Sequence, residues 1–148
     1  SLVVTNNESC VIAGLSLAIK SEFPAANIYS AEPEHYDDMA LSLLAEHIVS
    51  VETKHKTICD AVMTPEPGEL TFSIICELLK GGLVVTDIET RNAMRHAFNC
   101  LKLVVEPGGC VALAALLSKK IDARDNIVVV VCSGGNVDTA LFSEVLIG

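Results

Sequence analysis

The stretch IVVVVCSGGN, residues 127–136, joins six consecutive apolar residues to a small turn with two glycines. An unbroken apolar run stopped by turn residues suits a strand covered on both faces, the condition at the centre of a parallel sheet. Parallel neighbours need crossover connections, usually helices. The run therefore predicts strands and helices alternating along the rest of the chain.

That alternation is visible. LVVTNNESCVIAG, residues 2–14, reads as strand, polar turn and helix. Ile12, Leu15 and Ile19 share one face of a helix over 11–22, stopped by Phe23-Pro24. A short strand is expected at 28–31, a helix at 37–46, a weak strand at 48–51 and a long connection over 52–67. Leu70, Ile74 and Leu78 mark a helix over 69–80, with Gly81-Gly82 as its stop before a strand at 83–85. Thr86-Asp87-Ile88-Glu89 has capping-box spacing for a helix reaching Leu101. The segment 110–119 is apolar nearly all round, as a buried helix is, and a last helix follows Asn136. The pattern predicts an α/β fold: a parallel sheet between two helical layers (α/β/α).

The 148 residues are 51% apolar with a mean hydropathy of +0.48, enough for a sizeable core or for a face covered by another chain. A net charge of −9 disfavours nucleic acid and anionic membrane as partners. No apolar run reaches the roughly 20 residues that span a bilayer. The cysteines at 10, 59, 76, 100, 110 and 132 form no CxxC pair and read as small buried hydrophobes. Their reduced state, and a start without signal-peptide pattern, give a cytoplasmic chain as the expectation. The histidines at 35, 47, 55 and 96 show no metal-ligand spacing.

In open parallel sheets ligands lie beyond the carboxyl ends of the strands. Four loops meet that condition: Asn6–Cys10, Glu32–Asp38, Glu106–Gly109 and Ser133–Asn136. The serine hydroxyl of the last could bond a ligand nitrogen while its glycines allow close backbone approach; an ordinary strand–helix turn with a serine cap has the same look. Glu32 and Asp38, with a carbonyl between them, suit a hard cation such as Mg²⁺ or Ca²⁺, or form a solvated acidic loop capping the next helix. Glu106 is either a partner of a helix dipole or a group facing a bound ring.

Several stretches together carry a family resemblance: GELTFSI (68–74), LKLVVEPGG (101–109), ALAALLS (112–118), VVVVCSGGNVD (128–138), and the EP and DD pairs at 32–33 and 37–38. In this order they resemble the C-terminal half of fold-type-II PLP enzymes, nearest the threonine/serine dehydratases and serine racemases. The resemblance implies part of the large domain of a tryptophan-synthase-β-like PLP fold. It implies that Ser133 bonds the pyridine nitrogen of PLP, that Gly134, Gly135 and Asn136 form the loop around it, and that Glu106 lies near the ring. It also implies a divalent-cation site with side chains Glu32 and Asp38 and the carbonyl of Tyr36.

Two departures stand out. The family's glycine-rich phosphate cup aligns with Asn7, Glu8, Ser9 and Cys10, where side chains replace hydrogens. A Glu8 carboxylate about 4 Å from a phosphate would meet roughly 4 kcal/mol of repulsion per charge pair at an effective dielectric near 20. The family's Schiff-base lysine, which belongs to the N-terminal half, has no counterpart among the seven lysines. The expectation is a partial large domain over 1–148: a truncated or degenerate dehydratase homologue, silent alone, without bound PLP, and a homodimer. The alternatives are a binding or regulatory module on the same scaffold, or a half-enzyme completed by a lysine-bearing chain.

Overall fold

Alternate residues of a strand face opposite ways, and the strand Ile28–Pro33 shows what each face meets. Ile28 packs with Ile12, Ala13, Met39, Phe72 and Ile75. Ala31 packs into a second cluster with Val85, Met94, Val111 and Ala114. One sheet thus separates two helical layers. The computed structural model describes residues 2–5 and 9–148, with side chains from Cys10 onward.

In chain order the elements are β1 (Leu2–Thr5), α1 (Ser9–Glu22), β2 (Ile28–Pro33), α2 (Asp38–Ala45), α3 (Glu69–Leu78), β3 (Gly81–Val85), α4 (Asp87–His96), α5 (Pro107–Leu117), β4 (Val129–Val130) and α6 (Thr139–Ile147). A 3₁₀ turn occupies Asp60–Val62, and a π turn, Ala97–Leu101, prolongs α4. The sheet order is β3-β2-β1-β4, with every pairing parallel. The α/β fold expected from the alternation is the one observed.

Local signals placed several elements. Thr86 and Glu89 form the reciprocal capping box expected of them at the start of α4. Pro107 opens α5, where its missing N–H costs no helical bond. Residues 107–115 of α5 are all buried, as the apolar composition requires.

Other expectations need correcting. The run 127–132 is no central strand: among the described residues only Val129 and Val130 pair, with Leu2 and Val3, at the edge of the sheet. Val128, Val130 and Cys132 pack on one helical layer and Val131 on the other, while Ile127 is 86% and Val129 53% exposed. Gly81 and Gly82 lie inside β3 and do not close α3. A Cβ on Gly82 would come within 2.5 Å of Ala40 Cα and 3.1 Å of Ser30 Oγ, so glycine is there to let α2 lie close to the sheet. Residues 48–51 form no strand; Val49 N–H donates to Ser42 Oγ at 2.9 Å and Val51 N–H to Pro65 O at 2.8 Å. Of the cysteines, Cys59 and Cys110 are buried and their thiols pushed up to about 12 by burial, but Cys10, Cys76 and Cys100 are exposed.

Candidate functional site

The strand order reverses direction at β1: the chain proceeds from β1 to β2 on one side and returns to β4 on the other. Ligands of open parallel sheets usually lie beyond the carboxyl ends of the strands at such a switch point. The pairs Leu2–Val129 and Val3–Val130 put both strands in register, and Ser133 follows β4 at its carboxyl end.

The loop Ser133–Asn136 is clasped by the loop before α5. Glu106 N–H donates to Gly134 O at 2.9 Å. A Cβ on Gly134 would overlap the Glu106 carboxylate, one on Gly109 would lie 2.8 Å from Gly134 N, and one on Gly135 2.9 Å from Val104 O. None of these glycines has positive φ. Space, and not an unusual dihedral, demands glycine here. Glu106 is half-buried, and Ser133, Gly135 and Asn136 are exposed. The first-turn N–H groups of α5 add a positive dipole end beside the Glu106 carboxylate.

The structure thus brings together two of the four predicted loops, Glu106–Gly109 and Ser133–Asn136. Asn7 and Glu8 lie outside the described residues. Ser9 is the first residue of α1, and Cys10 beside it is exposed.

Glu32 near the end of β2, Tyr36 in the turn after it and Asp38 at the start of α2 are all buried. The Glu32 carboxylate accepts from Met39 N–H at 2.9 Å and Ala40 N–H at 2.8 Å, capping α2. A carboxylate oxygen has lone pairs for more than one such contact. Tyr36 Oη donates to His55 O at 2.7 Å, which fixes the turn that carries the Tyr36 carbonyl. Asp38 Oδ1 accepts from Thr64 Oγ1 at 3.1 Å, while Oδ2, equally buried, has no hydrogen-bond partner. Burial pushes the Asp38 carboxyl up to about 6 against the Thr64 bond, which lowers it. An orphaned buried oxygen is what a cation ligand looks like without its ion.

Sequence reading missed Thr64. It stands 26 positions from Asp38 inside a segment whose prolines and glycine signal only a connection. Gly109 is legible as part of a loop, but its contact with Gly134 is a property of the fold. The 52–67 connection also reaches the first junction: a Cβ on Gly108 would lie 3.4 Å from Ala61 Cβ and from Val62 Cγ1.

Residues 1–133 match the family model of pyridoxal-phosphate-dependent enzymes. The chain is 36% identical over 138 residues to an L-threo-3-hydroxyaspartate ammonia-lyase of Pseudomonas sp, covering 93% of this chain and 43% of that protein. It is 34% identical over 139 residues to the serine racemase of Dictyostelium discoideum, covering 92% and 43%. Among solved structures, a threonine deaminase of T.th. superposes with a TM-score of 0.85 at 36% identity, covering 93% of this chain and 50% of that one. Maize serine racemase gives 0.86 at 32%, covering 97% and 44%. The chain spans less than half the length of these curated relatives. With the family model matched along nine-tenths of its length on a parallel α/β fold, this polypeptide belongs to the pyridoxal-phosphate-dependent enzyme family.

Proposed function

We propose that the chain forms the ring-side wall and the cation loop of a PLP site of the dehydratase and racemase kind, acting on small hydroxy-amino acids. The carrying observation is the Glu106–Gly134 clasp, which joins the turn after β4 to the loop that opens α5. The residues there fit a planar ring: glycines where backbone must approach, a hydroxyl at the edge and a carboxylate beside it. PLP, when bound, supplies an electron sink for a substrate's α-carbon. Ser133 Oγ would hydrogen-bond the ring nitrogen, and Gly134, Gly135 and Asn136 would shape its surroundings. Glu106 would set the local field. Asn7, Glu8, Ser9 and Cys10 would face the phosphate, where the N-terminus of α1 favours an anion and the Glu8 charge opposes it.

Taken alone, the 148 residues are proposed to be catalytically silent. Six of the seven lysines are exposed. The half-buried Lys20 gives its Nζ to Ala26 O at 2.6 Å, at the end of α1. A divalent cation, Mg²⁺ or Ca²⁺, is proposed at Glu32, the Tyr36 carbonyl and Asp38, on the strength of the orphaned Asp38 Oδ2. The isolated chain is proposed to pair with a second copy.

Titration of the ¹⁵N-labelled chain with PLP tests the ring site. Amide shifts concentrated at 106–109 and 133–136 are expected, and their absence overturns it. Ammonia release from L-serine or L-threonine by this chain with PLP would overturn the silence.

A further inference from the structure

We infer that Thr64 is a positioning residue for the cation site, aiming the free oxygen of Asp38 at the ion; this rests on the cation reading above. The Asp38 main chain is already fixed from the α2 side, where Ser42 Oγ donates to Asp38 O at 2.6 Å. What remains free is the rotation of the carboxylate. The Thr64 hydroxyl, donating to Oδ1 at 3.1 Å, removes that freedom and directs the buried, unpartnered Oδ2.

The connection does not need this bond to hold its path. Val51 N–H donates to Pro65 O at 2.8 Å, and Ser50 Oγ donates to Glu66 Oε2 at 2.5 Å. On the other side of Thr64, Val62 is buried against the core. Two independent anchors flank Thr64, so its hydroxyl is left to act on Asp38. Hydrogen bonds to ligating carboxylates set their orientation, and losing one costs roughly 10- to 100-fold in metal affinity.

The test uses the full 148-residue chain and Mn²⁺ as probe, with free Mn²⁺ read by electron paramagnetic resonance. Thr64→Val keeps the shape and removes the donor; a loss of about tenfold or more in affinity is expected. Thr64→Ser should restore wild-type affinity. Ser50→Ala cuts a loop anchor without touching Asp38 and should leave affinity unchanged. Unchanged binding in Thr64→Val overturns the inference, as does an equal loss in Ser50→Ala, which would make loop anchorage the cause. Circular dichroism in chelator checks folding. Should Thr64→Val not fold, Thr64→Ala is read the same way. Absence of Mn²⁺ binding in the wild type overturns the cation reading itself, and the role of Thr64 with it.

Discussion

Asp38 carries a carboxylate in a place without solvent, so its proton is linked to folding. Below pH 3.8, its ordinary value, it is protonated in folded and unfolded chains alike. Between there and about 6 the unfolded chain ionises while the fold keeps the proton, so stability falls across that window. The loss is on the order of 3 kcal/mol. Denaturant melts in chelator between pH 4 and 7 should show this decline, and Asp38→Asn should flatten it; equal stability throughout would contradict the burial of an uncompensated charge. At the other site, Gly134→Ala forces the Glu106 carboxylate aside. The expected result is loss of PLP-induced amide shifts at 133–136 with a stability cost of about 1 kcal/mol, because the displaced group is a flexible side chain.

Among the elements, α4 depends on the Thr86 cap, and Thr86→Ala should cost about 1 kcal/mol in urea melts. Gly82→Ala should cost more, about 1–3 kcal/mol, because the new methyl meets the α2 backbone at Ala40, which cannot rotate away. These two positions show what a sequence discloses. A capping box is complete within four residues, so Thr86 and Glu89 could be read without the fold. Gly82 answers to Ala40, 42 positions earlier, and its neighbour Gly81 looks like a helix stop until the packing is seen. The same holds for the candidate site. Ser133 and Glu106 were legible through their motifs, but the bond that joins their loops and the Thr64–Asp38 bond exist only between distant segments. The run 127–132 misled in another way: its apolar character marks contact with both helical layers, whatever lies on its free edge.

At the scale of the molecule, that free edge carries exposed apolar side chains. Ile127, Val129 and Phe23 (68% exposed) border a groove with Ile19, Pro24 and Ala26. Surface of this kind beside an unpaired strand edge favours association. Light scattering at micromolar concentration should return twice the 15.7 kDa chain mass, and Ile127→Lys should shift it towards one copy. A single-chain mass for the wild type would count against pairing.

The shortness of β4 bears on what can join it. Among the described residues β4 makes two rungs with β1, and the Glu106 N–H bond to Gly134 O moors the turn beyond it. A strand laid against the outer side of Val129 would add rungs to β4, so that a second chain at that rim would continue the sheet instead of capping it.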